Sequence, residues 1–320
     1  MATIDRYLTA EDLAAALRED VRTGLTSTPK VLPPKYFYDA RGSALFEEIT
    51  RLPEYYPTRA ERSILEERAS EVADLTKART LVELGSGSSE KTHLLLSALR
   101  DVGSLETYVP VDVSADAIEW ALPGLHEHYP SLEVHGVVAD FERHLDRLPK
   151  EGPRVIAFLG GTIGNFEPAQ RARFLAVLAS TMSPGDALLL GTDLVKEPAR
   201  LVAAYDDGAG ITADFDLNVL RVVNRELGAD FDLDAFVHVA VWDAEREWIE
   251  MRLRSTRAQQ VAVPDLALTA DFAAGEELRT EVSAKFRRDG VGREIAAAGL
   301  QLSHWWTDAA GDFALSISFC

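Results

Sequence analysis

The sequence predicts an α/β protein: a doubly wound parallel sheet closed by an antiparallel hairpin, with an inserted α+β domain. Three observations predict it. Five apolar runs alternate with helical patterns between residues 80 and 193, the pattern of successive βαβ units. Two more strand-like runs, residues 300–306 and 313–319, flank the turn Asp308-Ala309-Ala310-Gly311-Asp312 and read as a hairpin. From about Lys196 to residue 285 the alternation lapses, which marks an insertion.

Composition sets the class. The chain has 320 residues, 47% of them hydrophobic and 27% charged, as in a globular protein with room for one large or two modest domains. Its formal charge of −19 opposes binding to nucleic acid or anionic membrane, which require a positive field. Cys320 is the single cysteine, so neither a disulfide nor a thiolate metal site forms within the chain. No basic-then-apolar leader and no membrane-length apolar run stand out. A cytoplasmic protein is expected, and a monomer, although composition does not fix the oligomeric state.

Taken in order, Thr9 and Asp12 open a helix with Leu13, Leu17 and Val21 on one face and Gly24 as its expected C-cap. After Pro33-Pro34 comes the densest aromatic stretch: Tyr36, Phe37, Tyr38, Phe46, Tyr55 and Tyr56. Asp39, Arg41, Gly42, Ser43, Glu54 and Arg59 interleave with them, a mixture that fits a lid or pocket wall better than a core strand. Thr58 with Glu61 reads as a capping box for a helix using Ile64, Leu65, Val72 and Leu75. The strands of the alternating region are expected at 80–84, 108–112, 132–138, 154–159 and 187–190. In the insertion, Leu201, Val202 and Tyr205 suggest a short helix, and Thr212 a cap for a helix through Phe215, Val219, Val223 and Leu227. Residues 236–242 and 248–253 suggest a hairpin.

The central stretch is Thr80-Leu81-Val82-Glu83-Leu84-Gly85-Ser86-Gly87-Ser88-Ser89-Glu90-Lys91. It reads as a buried strand, a tight turn and a helix start. Glycines there admit positive φ and let a ligand approach the backbone. Glu90 occupies the place of the third glycine of a dinucleotide fingerprint, and the spacing before Lys91 is wrong for a P-loop. The pattern E-x-G-x-G resembles motif I of S-adenosylmethionine-dependent methyltransferases, although an ordinary strand–turn–helix can also carry it. Ligands of doubly wound sheets lie beyond the carboxyl ends of the strands. Gly85, Asp112, Asp140 and Asn165 all fall at such ends, and four polar candidates on one rim are a stronger signal than one loop.

Four segments together carry a closer resemblance. They are K-Y-F-Y-D-A-R-G-S-A-L-F-E-E-I-T-R-L-P-E-Y-Y-P-T-R-A-E at 35–61, the motif I stretch, G-G-T-I-G-N-F at 160–166 and T-E-V-S-A-K-F at 280–286. Nearly end to end, the sequence resembles the histidine-specific Nα-methyltransferases of ergothioneine biosynthesis. The resemblance implies a class I methyltransferase fold, with residues 61–195 and 286–320 binding S-adenosylmethionine and residues 1–60 and 196–285 binding substrate. It implies trimethylation of the α-amine of L-histidine to hercynine, without metal. On the cofactor side it implies Gly85 at the cofactor backbone and Lys91 at the methionyl carboxylate. Asp112 would take the ribose hydroxyls, while Asp140 and Phe141 frame the adenine. On the substrate side it implies Asn165 and Tyr205 at the histidine carboxylate, Tyr55, Glu281 and Ser283 at the imidazole, and Tyr38 beside the amine as the catalytic residue, with Phe46 nearby.

Without the resemblance, Lys91 would also fit a solvated first-turn lysine, Glu281 a solvated acid and Tyr205 a core tyrosine. Glu281 and Ser283 stand at i and i+2, which point to one face of an extended segment, so an acceptor and a hydroxyl could read both nitrogens of one imidazole. Three other functions stay open at this point: methylation of another small amine, a nicotinamide oxidoreductase, and a non-catalytic cofactor-binding partner.

Overall fold

The computed structural model describes residues 2–87 and 91–320. Ser88, Ser89 and Glu90 of the glycine loop lie outside the described residues. The chain divides into two compact units. Unit 1 comprises Met1–Thr9, Pro57–Leu194 and Phe286–Cys320, and unit 2 comprises Ala10–Tyr56 and Val195–Lys285.

In chain order, strand β1 (Ala2–Arg6) belongs to unit 1. Helix α1 (Ala10–Thr26), strand β2 (Lys30–Val31) and helix α2 (Ala40–Ile49) belong to unit 2. Unit 1 resumes with α3 (Pro57–Thr76), β3 (Thr80–Leu84), α4 (Thr92–Asp101), β4 (Thr107–Asp112), α5 (Ala115–His128), β5 (Glu133–Val138), β6 (Arg154–Phe158), α6 (Pro168–Ser180) and β7 (Ala187–Asp193). Unit 2 continues with α7 (Pro198–Tyr205), α8 (Ile211–Leu227), β8 (Phe236–Asp243), β9 (Trp248–Ser255), β10 (Gln259–Val263), β11 (Leu268–Phe272) and β12 (Glu277–Ala284). Helix α9 (Arg288–Ala297), β13 (Gln301–Thr307) and β14 (Phe313–Phe319) complete unit 1.

Among the described residues, unit 1 is built on an eight-stranded sheet of order β1-β5-β4-β3-β6-β7-β14-β13. The first six strands of that order run parallel, β14 pairs antiparallel with β7, and β13 antiparallel with β14. Every residue of β3, β6 and β7 is buried, as expected for parallel strands covered on both faces. The chain leaves β3 toward β4 and β5, then returns to β6 on the other side of β3. The loops after β3 and β6 therefore flank a topological switch point, where doubly wound sheets place their ligands.

Unit 2 holds a four-stranded sheet of order β2-β12-β9-β8 and the hairpin β10–β11. Phe37, Phe215, Val219, Val223, Ile249, Leu253 and Leu278 form part of its core, each fully buried side chain of this kind contributing about 1.5–3 kcal/mol. Asp39 caps α2 by accepting from Gly42 N–H at 2.9 Å, and it also accepts from Asn218 Nδ2 at 2.8 Å and Arg225 Nη1 at 2.7 Å. A side chain at Gly42 would place Cβ 1.7 Å from the Phe37 carbonyl oxygen. The aromatic segment is thus locked onto α8 at the residues flanking Tyr38.

Several expectations need correction. Residues 1–9 were expected with the second unit, but β1 pairs in parallel with β5 and extends the sheet of unit 1. Residues 57–60 join unit 1 as the first turn of α3. Gly24 is not a C-cap: α1 runs on to Thr26, and a Cβ at Gly24 would lie 1.9 Å from the Val31 carbonyl oxygen, so the glycine admits β2 against the helix. Thr58 and Glu61 form no capping box, because α3 already starts at Pro57 and the Glu61 side chain turns inward. Thr212 lies inside α8, whose first turn is held by Asp207, accepting from the amides of Ala209, Ile211 and Thr212.

Candidate active site

The sequence-predicted residues fall into two groups, one in each unit. In unit 1, β3 delivers the chain into Gly85, with φ of 72°, and Gly87, with φ of 48°. Both conformations are strained for residues with a Cβ. No heavy atom lies within 4 Å of a Cβ built at Gly87, and the ring of Phe141 lies 3.8 Å from one built at Gly85. Ser86 Oγ, between them, is buried and has no hydrogen-bond partner among the described residues.

Asp112, at the end of β4, accepts from Gly87 N–H at 3.1 Å and Ser114 N–H at 2.9 Å. Burial pushes its pKa up; the amides of Ser114, Gly87 and Val113 work in the opposite direction without overcoming it. The carboxylate thus holds the second glycine of the loop. Asp140 turns the chain after β5 by accepting from Glu142 N–H at 2.9 Å. Phe141 packs edge-on against Phe158, Phe166 and Phe174, with ring centroids 5.3, 6.4 and 6.1 Å away. Asn165 is half-buried in the 3-10 turn Thr162–Asn165 that follows β6. Arg171 Nη1 donates to the Phe166 carbonyl at 3.0 Å and holds the end of this loop.

Two buried acids beneath the loop do work that the sequence reading assigned elsewhere or left open. Glu83, the acid of E-x-G-x-G, accepts from Thr92 Oγ1 at 2.7 and 2.6 Å and from Tyr108 Oη at 2.5 Å. It ties β3 to the first turn of α4 and to β4. Its pKa is raised to about 7, first by burial, with the hydrogen bonds from Thr92 and Tyr108 opposing. Glu61 accepts from Gly160 N–H at 2.7 Å and forms an ion pair with Lys91. Lys91, expected at a cofactor carboxylate, here meets a protein carboxylate. Glu61 thereby joins α3, the start of α4 and the glycine-rich loop after β6.

In unit 2 the aromatic candidates form a chain of rings. Tyr38 meets Phe46 at 5.6 Å, Phe46 meets Tyr55 at 6.1 Å, and Tyr55 meets Tyr205 at 6.3 Å, all near edge-on. Tyr38 is 43% exposed, whereas Tyr55 and Tyr205 are buried. The segment expected as a lid or pocket wall therefore also builds core, through Phe37, Tyr55 and Tyr56.

Tyr205 Oη and Ser283 Oγ are 2.7 Å apart, and Lys285 Nζ donates to both, at 2.9 and 2.7 Å. The same ammonium lies 4.5 Å from the centre of the Tyr205 ring. The sequence reading put Tyr205 and Ser283 at opposite ends of a ligand, but the structure puts their hydroxyls in contact. Lys285 was missed, although the period-2 argument that selects Glu281 and Ser283 reaches it at the next step. Glu281 is half-buried on β12, opposite Met251, just past a bulge that shifts the register between Arg279 and Glu281.

The backbone of Tyr205 is held as well. His238 Nε2 lies 2.7 Å from the Tyr205 carbonyl and Nδ1 lies 2.6 Å from Asp216. Burial disfavours a charged ring, but the hydrogen bond and charge of Asp216 and the Tyr205 carbonyl outweigh it and raise the pKa. With an acceptor at each nitrogen, the protonated ring is the form that satisfies both contacts.

Among the described residues, no group of three or more His, Cys, Asp or Glu is placed to hold a metal ion. No helix there is long and apolar enough to cross a membrane.

Comparison with known proteins gives the geometry its context. The family described as histidine-specific, SAM-dependent methyltransferases matches residues 17–319. The histidine N-alpha-methyltransferase of Mycolicibacterium smegmatis is 58% identical over 316 residues, covering 99% of this chain and 98% of that protein. That of Mycobacterium tuberculosis is 59% identical over 303 residues, covering 95% and 94%. Ergothioneine biosynthesis protein 1 of Neurospora crassa is 32% identical over 306 residues, covering 91% of this chain and 34% of that larger protein. With a match that runs nearly the length of the sequence, the chain belongs to the family of histidine-specific, S-adenosylmethionine-dependent methyltransferases.

Proposed function

We propose that the chain transfers three methyl groups from S-adenosylmethionine to the α-amine of L-histidine, forming hercynine, as a step of ergothioneine biosynthesis. The observation that carries this reading is the near full-length identity to two proteins named histidine N-alpha-methyltransferase. The fungal ergothioneine biosynthesis protein supports the pathway.

The residues of unit 1 fit the cofactor. The Ser86 hydroxyl, buried and without a hydrogen-bond partner among the described residues, the space at Gly87 and the ring of Phe141 beside Gly85 form a cradle that a nucleoside would fill. Asp112 would accept from ribose hydroxyls, Asp140 and Phe141 would meet the adenine, and Lys91 would turn to the methionyl carboxylate. When bound, the cofactor supplies an electrophilic methyl on a sulfonium.

The remaining chemistry belongs to the substrate residues. The attacking amine needs its lone pair, so it must be neutral when the methyl transfers in line. Asn165 serves the histidine carboxylate and Tyr55 lines the imidazole end. Glu281 accepts from an imidazole N–H there, while Tyr205 and Ser283 act as one polar unit. Tyr38 orients the amine and passes on its proton, directly or through water. Much of the rate comes from alignment, with reacting atoms held about 3–3.5 Å apart. As methyls accumulate, the amine loses its donors and becomes a cation with an apolar skin. The faces of Tyr38 and Phe46 accommodate such a group.

The test is direct. The protein is incubated with S-adenosylmethionine and each amino acid in turn, and products are followed as mass gains of about 14, 28 and 42 Da, expected for one to three methyls on an amine. Histidine alone should carry the series to its end. Methylation of other amino acids at equal efficiency, or none of histidine, would overturn the reading.

A further inference from the structure

Tyr38 stands between two helical pieces of unit 2, the 3-10 turn Pro34–Phe37 and α2. Its backbone, with φ of −90° and ψ of 46°, is neither helical nor extended. Neither element therefore dictates where its side chain points. The ring is 43% exposed, so packing holds only part of it, edge-on to Phe46 and to Phe215. What fixes its direction is the main chain on either side, and one buried amide holds both sides. Asn218 Nδ2 donates to the Phe37 carbonyl at 3.0 Å and to Asp39 Oδ1 at 2.8 Å.

The orientation of that amide follows from its partners. Both are acceptors, so the nitrogen and not the oxygen must face them. Burial opposes the charge on Asp39, but the Gly42 amide, Arg225 and Asn218 outweigh it and hold the carboxyl below the usual carboxylate range. Asn218 thus donates to an anion, which strengthens the bond. The same corner excludes a side chain at Gly42, whose Cβ would lie 2.9 Å from Asn218 Nδ2. Phe215 and Asn218 stand at i and i+3 on α8 and share a face. One helix face therefore supplies both a wall for the Tyr38 ring and the clamp on its backbone. We propose that Asn218 is a positioning residue for Tyr38: by bracketing the tyrosine through Phe37 and Asp39, it fixes the direction in which the phenol meets the substrate amine. This rests on the reading of Tyr38 as the residue beside that amine.

The test is a double-mutant cycle on kcat, with products counted by mass so that slow variants are also measured. Asn218→Leu keeps a similar volume and removes both donors. It should lower kcat for histidine about ten- to a hundredfold, the range for a reacting group displaced by up to about 1 Å. KM for histidine should change far less. In a Tyr38→Phe background the same substitution should lower kcat by less than about twofold, because residues that act through one another are not additive. Circular dichroism checks the fold, and if Asn218→Leu does not fold, Asn218→Ala takes its place in the same cycle. Equal losses of kcat in both backgrounds, no loss in either, or a loss seen only in KM overturns the proposal and leaves histidine methylation standing. A Tyr38→Phe enzyme as fast as the wild type removes Tyr38 from the chemistry, and the proposal with it. A wild-type protein that methylates no histidine overturns the reading beneath both.

Discussion

Glu61 gives the sharpest test of how the cofactor side of unit 1 is held. Its side chain is 1% exposed, and its partner Lys91 is 24% exposed. One carboxylate oxygen accepts from Gly160 N–H at 2.7 Å, and the other faces the ammonium. Glu61→Ala removes both interactions. An amide left without its acceptor costs about 1–3 kcal/mol. A buried ion pair broken on one side costs about 3–5 kcal/mol, and partial exposure lets water recover some of that for Lys91. The expected loss of stability is therefore about 3–5 kcal/mol rather than the sum. Glu61→Gln keeps an oxygen for Gly160 and should cost about 1.5–3 kcal/mol, the value of the charged bond alone. Urea denaturation of Glu61→Ala, Lys91→Met and the double variant separates the parts. If the stranded ammonium dominates, the double variant should recover most of the loss, leaving about 1–3 kcal/mol for the Gly160 amide. Additive single losses would show that the two side chains are not coupled, and the reasoning would fail.

Three further outcomes follow from the same region. Gly191→Ala should cost about 1–3 kcal/mol in denaturation, because its Cβ would lie 2.3 Å from Glu61 Oε1 and 3.2 Å from Phe313 Cε1; a neutral result would mean that Glu61 is free to move. Glu83 should make the protein less stable as pH rises from 4.5 to about 7. Across that window the folded carboxyl keeps a proton that the unfolded chain has released, a difference of about 3 kcal/mol at most. Glu83→Gln should flatten this part of the stability–pH curve, and an unchanged slope would assign the dependence to other groups. Asp112→Ala should weaken S-adenosylmethionine roughly tenfold or more in calorimetry, through the lost ribose contacts and the released Gly87 amide; unchanged affinity would remove Asp112 from the site.

What the sequence disclosed was whatever repeats at short range. The parallel strands were visible because each is a continuous apolar run, and the rim was visible because doubly wound sheets place ligands at strand ends. The closing hairpin was equally plain. Residues whose roles depend on partners far along the chain were misread. Glu61 looks like the fourth residue of a capping box, and nothing local says that its partners are Lys91 and the amide of Gly160, 99 positions away. Gly24 looks like a helix end, because the strand that requires its missing side chain approaches only in three dimensions. The segment 1–9 carries too short a strand to announce that it will pair with β5.

Tyr205 and Ser283 show a subtler gap. Both residues were selected from the resemblance and given separate ends of the ligand, because a motif names residues without saying which of them touch. Their 2.7 Å contact joins the two hydroxyls in one hydrogen-bonded pair. Lys285 donates to both oxygens, since an ammonium cannot accept. The motif T-E-V-S-A-K-F thus carries an alternation of acid, hydroxyl and ammonium at 281, 283 and 285. Alternate residues of an extended segment share a face, so the step that links Glu281 to Ser283 leads on to Lys285, just past the end of β12.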